Sequence, residues 1–325
     1  MSTEAYEFAG TSGSRQVEVI EVGTRDGLQI EQRIIAAQDK IALINEMIDS
    51  GMRHIEVTSF VSPKAVPQLA DAEQVLAGIK KRADTNLMAL VPNQRAAERA
   101  CDTPLDGAVL LCSASNTHNG KNLNRTITES LATMDQVAHT LKSGGITLYG
   151  AIATTFGCPF EGEVAFEDVL RIARTYADLG VQHITLSDTT GMATPSNIRD
   201  MVRAMRAELP DREFGLHLHN TRGIGLANVL AGLNEGVRRF DASVGGLGGC
   251  PFAAGATGNI CTEDLLYLLQ ECGYDTGVDL ERAIGVAQHM ESLLGKPLVG
   301  QVMRAGPRLK LHSTNAVKTA SGGHA

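Results

Sequence analysis

The chain repeats one unit eight times: a short strand rich in apolar residues, followed by a helix. Parallel strands joined by helices through right-handed crossovers close into a barrel when there are eight such units. The alternation therefore predicts an α/β fold, a (β/α)8 TIM barrel with extra C-terminal helices between residues 262 and 295. The predicted strands are Val17–Val22, His54–Thr58, Asn86–Val91, Gly107–Cys112, Ile146–Ala153, His183–Leu186, Phe214–Leu218 and Arg239–Val244.

The length of 325 residues suits a single barrel domain, since about 250 residues are typical of the fold. We predict that this domain spans residues 15–300. Residues 1–14 are polar and rich in Gly and Ser, and residues 306–325 are polar, so both are predicted to be flexible tails. Between the fourth strand and the next helix, the Asn-rich segment Ser113–Asn124 is predicted to be a long loop.

Charge and composition exclude several classes of function. The formal net charge is -8 and no cluster of Lys and Arg stands out, so no nucleic-acid partner is expected. No apolar run approaches the roughly 20 residues of a membrane helix, and the acidic start lacks a signal-peptide core. We therefore expect no membrane association and a cytoplasmic location. The six cysteines form no CxxC pair and are expected to be reduced. We also expect a homodimer or a higher homo-oligomer.

A pair of histidines at the end of the seventh strand predicts a metal site. Residues i and i+2 of a strand point to the same face, so His217 and His219 project side by side. Imidazole is the commonest borderline metal ligand in proteins. The alternative is two half-buried histidines, each hydrogen-bonded to a carbonyl group.

Polar side chains also follow three other strands, at the barrel end where active sites form. Arg25 and Asp26 come after the first strand, Glu56 lies on the second, and Asp188 follows the sixth. Each aspartate has an alternative role in capping a turn or a helix, whereas a buried Glu56 needs a partner. Carboxylate and imidazole ligands without a thiolate favour Mg²⁺ or Mn²⁺ over a closed zinc site.

The loop after the eighth strand contains four glycines around Cys250, in the segment Gly245–Ala253. Glycine allows close backbone approach and large dihedral changes, as a mobile lid requires. The alternatives are a flexible connection with an inert cysteine, or a phosphate-binding loop. The latter is disfavoured because no Gly-Lys-Ser/Thr sequence follows.

Several of these segments resemble 3-hydroxy-3-methylglutaryl-CoA lyases, a branch of the DRE-type metallolyase superfamily. The resemblance runs from about residue 17 to residue 295. The Arg-Asp-Gly and His-x-His elements are shared with the wider superfamily, which includes isopropylmalate and homocitrate synthases. The segments are Glu21–Gln29, Glu56–Lys64, Gly157–Gly162, His217-x-His219 and Gly246–Pro251.

The resemblance implies a divalent-metal-dependent cleavage of a tertiary 3-hydroxyacyl-CoA, with coenzyme A as part of the substrate. For 3-hydroxy-3-methylglutaryl-CoA the products are acetyl-CoA and acetoacetate, formed by a retro-aldol reaction. The implied metal ligands are Asp26, His217, His219 and Asn259. The implied catalytic residues are Arg25 as the enolate-stabilising cation, Cys250 as a lid thiol, and Glu56 and Asp188 as active-site carboxylates. Among groups near the metal, His217 is expected to be the base, and Cys250 is expected to supply the proton to the product.

Three departures from the family pattern leave the substrate open. Asn116, Asn220 and Arg222 change the charge or donor pattern in loops after the fourth and seventh strands. A guanidinium can grip a carboxylate through two parallel hydrogen bonds, so Arg222 favours an acid such as citramalyl-CoA, or a methylmalyl-CoA. A condensing synthase is a further alternative, although such chains usually add a C-terminal regulatory domain. A metal-bound barrel that acts only as a binding protein is the remaining alternative.

Overall fold

Eight parallel strands close into a barrel in this computed structural model, which describes residues 15–249 and 258–311. Each strand pairs with the next along the chain, and the eighth pairs with the first. The predicted (β/α)8 barrel is therefore confirmed, with strand bounds that differ from the predicted ones by one or two residues at most ends. The strands are β1 Glu18–Glu21, β2 His54–Ser59, β3 Asn86–Leu90, β4 Gly107–Ser113, β5 Thr147–Ala153, β6 His183–Asp188, β7 Glu213–Leu218 and β8 Arg239–Ala242.

Helices cover the outside of the barrel and continue past β8. Within the described part of the chain, α9, α10 and α11 are the extra C-terminal helices, and Val302 and Met303 of α11 are buried. None of the described helices is long and apolar enough to span a bilayer. The helices are α1 Ala37–Asp49, α2 Ala72–Gly78, α3 Gln94–Cys101, α4 Asn116–Leu123, α5 Ile127–Ser143, α6 Phe166–Asp178, α7 Pro195–Glu208, α8 Gly225–Asn234, α9 Thr262–Glu271, α10 Leu280–Leu294 and α11 Val302–Ala305.

The core lies between the barrel wall and the helices, because alternate strand residues point outward under the helices. Tyr176 of α6 shows how closely this layer packs. Its ring lies over Gly150, where a Cβ atom would come within 2.5 Å of the ring. Its hydroxyl donates to the carbonyl oxygens of Leu110 and Ala151 at 2.9 and 3.1 Å. A buried tyrosine of this kind fixes the helix against two adjacent strands.

The segment Ser113–Asn124 was predicted as a loop, and this prediction is wrong because it contains α4. The side chain of Ser115 caps the N-terminus by accepting a hydrogen bond from the backbone of His118. Asn124 ends the helix in the left-handed conformation, at φ 55°. The helix was missed because asparagine and glycine have weak helix propensity, while its caps supply the missing stability locally.

The predicted domain of residues 15–300 falls within one continuous barrel and its attached helices. Helix α11 lies beyond residue 300 and is attached to α9. The carboxylate of Asp264 in α9 accepts hydrogen bonds from the backbone amides of Gln301 and Val302. Residues 1–14, 250–257 and 312–325 lie outside the described residues. The predicted N-terminal tail and most of the predicted C-terminal tail fall in these ranges and stay predictions.

Candidate metal centre and active site

A single π-helical turn after β1 presents Arg25 and Asp26 at the C-terminal end of the barrel. The backbone amides of Arg25, Asp26 and Gly27 all bond to the carbonyl oxygen of Val22, at 3.1, 2.8 and 3.2 Å. This tight turn buries both functional residues, which are 8% and 7% exposed. The sequence predicted a turn here, and the structure gives it as a π-helical turn, a conformation often found at functional sites.

His217 and His219 converge with Asp26 at one point. The two Nε2 atoms lie 3.1 Å apart, and His219 Nε2 lies 4.0 Å from Asp26 Oδ2. One possible ligand atom from each of the three side chains fits within 4.8 Å of the others. The strand geometry predicted for the His-x-His pair is therefore present, and Asp26 reaches it from β1 although it lies far away in sequence.

Asn259 joins the same cluster from the segment after the eighth strand. Its side-chain amide donates to Asp26 Oδ2 at 2.8 Å and to the carbonyl oxygen of Leu247 at 2.9 Å. With both donors engaged, its Oδ1 atom is buried and has no hydrogen-bond partner among the described residues. A buried acceptor without a partner costs free energy, which a cation at this point would recover.

The geometry fits a divalent ion. Mg²⁺ takes octahedral ligands at about 2.0–2.1 Å, so neighbouring ligand atoms stand about 3 Å apart. The two imidazole nitrogens, 3.1 Å apart, have this spacing. Burial and the neighbouring His217 lower the pKa of His219 to about 4, so His219 is the neutral imidazole that binds metals.

Asp241 of β8 supports this centre and was not predicted from the sequence. Its carboxylate lies 3.2 Å from Nδ1 of His217, directly across the β7–β8 pairing. Burial lowers the pKa of His217, but the hydrogen bond to Asp241 and the charge of Asp26 raise it above its ordinary value. A carboxylate on the far nitrogen orients a ligating imidazole and increases its basicity. The available signal was an acidic residue at an inward position of an otherwise ordinary strand.

Arg25 stands between two carboxylates. Its side chain bonds to Asp26, and its Nε lies 2.8 Å from Glu56 Oε1, an ion pair outside hydrogen-bond angles. Burial raises the pKa of Asp26, yet Arg25 and the two histidines outweigh it, so the pKa lies below its ordinary value. Burial also raises the pKa of Glu56, to about 7, although Arg25 opposes this. Glu56 can therefore exchange a proton near neutral pH.

Asp188 is held by the loop after β6. Its Oδ1 accepts hydrogen bonds from the backbone amides of Met192 and Ala193 at 2.7 and 3.0 Å. It does not line the cavity at the barrel mouth, whereas its neighbours Ser187 and Thr189 do. These contacts agree with the alternative role given from the sequence, in which Asp188 caps a turn. Its hydrogen bonds stabilise the loop after β6.

A cavity of about 370 Å³ opens beside the cluster and runs into the barrel. Arg25, Asp26, Glu56, His217 and His219 all line it. The structure therefore brings together five of the predicted site residues around one space, with Asn259 behind Asp26. Cys250 lies outside the described residues, so its predicted role stays a prediction.

The three residues that suggested a different substrate have structural partners instead. Arg222 donates to the carbonyl oxygens of Thr190 and Gly191. Asn116 accepts a hydrogen bond from the backbone of Ile127, and Asn220 accepts one from that of Gly225. None of the three lines the cavity. The prediction that Arg222 grips a substrate carboxylate is therefore not supported by its contacts.

Comparisons with known proteins agree on one family. A family model described as HMGL-like matches residues 16–290. A hydroxymethylglutaryl-CoA lyase of Bacillus subtilis is 42% identical, over 87% of this chain and 95% of its own length. An (R)-citramalyl-CoA lyase of Chloroflexus aurantiacus is 40% identical, over 90% of this chain and 95% of its own length.

A solved structure gives the same result. The HMG-CoA lyase of Acinetobacter baumannii, in complex with coenzyme A and 3-methylmalate, superposes with a TM-score of 0.88 at 43% identity. The match covers 93% of this chain and 99% of that one. The likeness therefore extends over the whole barrel and the helices that follow it.

Proposed function

This chain belongs to the HMGL-like family, and on that basis we propose that it is a carbon–carbon lyase that cleaves a tertiary 3-hydroxyacyl-CoA. The first substrate to test is 3-hydroxy-3-methylglutaryl-CoA, with acetyl-CoA and acetoacetate as products. The observation that carries the proposal is the convergence of Asp26, His217 and His219 beside the Arg25 guanidinium in one cavity. The relatives that share most of the chain's length act on acyl-CoA thioesters, as their names state.

We propose that Asp26, His217, His219 and the Oδ1 atom of Asn259 hold the divalent cation, with Mg²⁺ or Mn²⁺ preferred. When bound, the cation supplies Lewis acidity and a template for substrate oxygens. The nitrogen and oxygen donor set without a thiolate supports the preference for these two metals. Asp241 keeps the His217 ring in the orientation that this role requires.

We propose that Glu56, rather than the predicted His217, is the base that removes the hydroxyl proton. A His217 that uses Nε2 as a ligand and Nδ1 for Asp241 has no nitrogen left to accept a proton. Glu56 lines the same cavity, and burial raises its pKa to about 7. A carboxylate whose pKa is close to the working pH is well suited to proton transfer.

We propose that Arg25 stabilises the negative charge that reaches the thioester oxygen when the carbon–carbon bond breaks. Its guanidinium is buried and already oriented by Asp26 and Glu56, so it needs no reorganisation during the reaction. Removal of a preorganised donor of this kind typically lowers kcat by about 10²–10³. We expect that loss in Arg25→Met, with metal binding retained, as measured by steady-state kinetics and metal titration. A kcat within a few fold of the unmodified enzyme would contradict this role.

Cys250 is proposed to return a proton to the product carbanion. Cys250→Ser is expected to retain metal binding and thermal stability but to lose most of its turnover. The reason is that a hydroxyl is a much weaker acid than a thiol, whose ordinary pKa is about 8.5. The control is Cys272→Ser at the C-terminal end of α9, where the thiol is half-buried. This variant is expected to leave turnover unchanged. Equal rates in both variants would remove Cys250 from the mechanism.

The decisive test of the proposed function is product analysis. Purified protein with Mg²⁺ is incubated with 3-hydroxy-3-methylglutaryl-CoA and, separately, with citramalyl-CoA, and acetyl-CoA is detected by mass spectrometry. We expect acetyl-CoA and acetoacetate from the first thioester. The citramalyl-CoA lyase among the relatives supports including the second, and cleavage of that thioester alone would replace the first substrate. Absence of cleavage of both would overturn the proposal.

A homodimer and a cytoplasmic location are part of the same proposal and stay predictions. Light scattering coupled to size-exclusion chromatography measures the first, with twice the 34.5 kDa chain mass expected. Fractionation of cells that express the protein measures the second.

A further inference from the structure

The segment Gly157–Gly162 between β5 and α6 has no part in the metal centre, and it folds into a tight ring. The backbone amides of Cys158 and Gly162 each donate to the carbonyl oxygen of the other at 2.8 Å. Gly162 has a φ of 78°, in the left-handed region that favours glycine. The Cys158 sulfur accepts a hydrogen bond from the backbone amide of Phe160 at 3.4 Å. These contacts make residues 158–162 a compact turn rather than an open loop.

The carboxylate of Glu161 in this ring caps the N-terminus of α4. Its Oε1 atom accepts a hydrogen bond from the backbone amide of Thr117 at 2.7 Å. The Ser115 hydroxyl and the backbone amide of Asn116 donate to the same carboxylate. The first amides of a helix have no partner within the helix, and a negative charge beside them complements the helix dipole. Glu161 therefore satisfies donors that α4 cannot satisfy by itself.

The ionisation of Glu161 agrees with this contact. Burial raises the pKa of Glu161, but the hydrogen bonds from Thr117, Ser115 and Asn116 outweigh it, so the pKa lies below its ordinary value. Glu161 is exposed, yet its carboxylate is charged at neutral pH and faces the helix. Hydrogen bonds to a charged acceptor are stronger than those between neutral groups, so this contact can hold the end of a short helix.

Two further contacts join the ring to the same helix. The Cys158 thiol donates to the Ser115 hydroxyl at 3.0 Å, and both residues are buried. The aromatic ring of Phe160 lies 5.1 Å from the ammonium group of Lys121, within the range of a cation–π interaction. The ring of residues 158–162 therefore contacts α4 at its N-cap, in its first turn through Glu161, and near its C-terminal end.

Helix α4 forms one wall of the active-site cavity. Its sequence, Asn-Thr-His-Asn-Gly-Lys-Asn-Leu, has weak helix propensity, so its position depends on contacts with other elements. Asn119 provides some of these, by accepting a hydrogen bond from the backbone amide of Ser113 and donating one to the Ser130 hydroxyl. The ring provides those at the N-terminus. Four of the eight residues of α4 line the cavity, namely His118, Lys121, Asn122 and Leu123.

We propose that residues 157–162 position α4 against the active-site cavity, with Glu161 as the central positioning residue. This inference rests on the proposed lyase function and adds a residue to it that acts at a distance. Glu161 is not among the described residues that line the cavity, so it acts through α4 rather than on the substrate. When α4 leaves its position, the wall is incomplete and substrate binding weakens, while the metal-binding cluster is unchanged. The affinity of a site falls in proportion to the fraction of molecules in which the site is complete.

Hydrogen exchange of peptides that cover residues 113–124, followed by mass spectrometry, tests the position of α4 without any substrate. We expect exchange about fivefold faster in Glu161→Ala, because loss of an N-terminal cap typically shifts the opening of a helix by about that factor. Glu161→Gln keeps an oxygen acceptor but not the charge, and an intermediate rate is expected. The matched control is Glu163→Gln, also at an exposed position, with the rate of the unmodified protein expected. Equal exchange in Glu161→Ala and this control would overturn the inference.

Steady-state kinetics of the Mg²⁺-loaded enzyme give the second measurement. We expect KM for the acyl-CoA thioester to be at least about threefold higher in Glu161→Ala, with kcat changed by less than about twofold. The Mn²⁺ affinity is expected to stay the same. A lower kcat at unchanged KM would overturn the assignment of Glu161 to substrate binding through α4. Absence of cleavage by the unmodified protein would instead overturn the proposed function, and the exchange rates would then decide the inference alone.

Discussion

Asp241 shows at the scale of one residue how a side chain outside the ligand set can control the metal centre. It accepts a hydrogen bond from His217 and lies half-buried near Arg25 and Glu56. Its sequence context, Arg-Phe-Asp-Ala, contains no motif that indicates a function. Only the pairing of β7 with β8 brings it opposite His217. A single sequence gives the inward position of such a residue but not its partner on the next strand.

Asp241→Asn is expected to weaken metal activation by about tenfold, and Asp241→Ala by up to about 100-fold, which is the usual range for a lost outer carboxylate. The asparagine keeps an acceptor for His217 but removes the charge, while the alanine removes both. The measurement is the Mg²⁺ concentration that gives half-maximal lyase activity. Asp211→Asn, at an exposed position, is the control. Equal Mg²⁺ dependence in all these variants would contradict the role of Asp241.

At the scale of elements, two buried glutamates connect the turns that hold the active site. Glu21 of β1 accepts hydrogen bonds from the backbone of Gly23 and Val244 and from the Thr262 hydroxyl. Glu263 of α9 accepts one from the backbone of Gly245 at 3.0 Å. Both side chains are fully buried. Burial raises the pKa of Glu21 to about 7 and that of Glu263 to about 8, so both carboxyls are largely protonated in the folded protein below these values.

These shifts predict how stability depends on pH. Below pH 4.5 both glutamates are protonated in the folded and unfolded chains, so neither contributes to the pH dependence of the free energy of unfolding. As the pH rises from about 4.5 towards 8, the unfolded chain loses these protons first, so the free energy of unfolding falls. Each group contributes a slope of about 1.4 kcal/mol per pH unit where only the folded state keeps its proton. Above the folded-state pKa the contribution stays constant.

Glu263→Gln tests this directly, because glutamine keeps an acceptor for Gly245 but cannot ionise. We expect the free energy of unfolding to fall less steeply between pH 5 and pH 8 in the variant than in the unmodified protein. Urea denaturation at several pH values measures it, with the exposed Glu208→Gln as the control. Parallel curves for the three proteins would contradict a raised pKa at Glu263.

Elements with a strong apolar periodicity were predicted from the sequence, and elements without one were missed or only partly predicted. Strands such as β5 and helices such as α3 were predicted almost to their ends because their apolar periodicity is strong. Helix α4 was missed because its stability comes from the caps at Ser115 and Asn124 rather than from propensity. The π-helical turn of residues 23–27 was predicted only as a turn, since its five buried residues carry no periodic signal.

At the scale of the whole molecule, barrel closure is what assembles the site. Asp26 and Asn259 are separated by 233 positions, yet their side chains lie 2.8 Å apart because β8 pairs with β1. The eightfold alternation predicted this closure, so Asp26, His217 and His219 could be grouped from sequence. The depth of the cavity could not, since it depends on how much space the inward side chains of different strands, such as Ala151 of β5 and Thr185 of β6, leave between them.

Manganese titration by calorimetry tests the central claim, that four residues from three parts of the chain hold one divalent cation. The unmodified protein is expected to bind one Mn²⁺ per chain, and His139→Ala, at an exposed position on α5, is expected to bind it equally. Asp26→Ala and His219→Ala are expected to retain the fold and lose this binding, because each removes one of the converging ligand atoms. Unchanged Mn²⁺ affinity in either of these two variants would contradict the account.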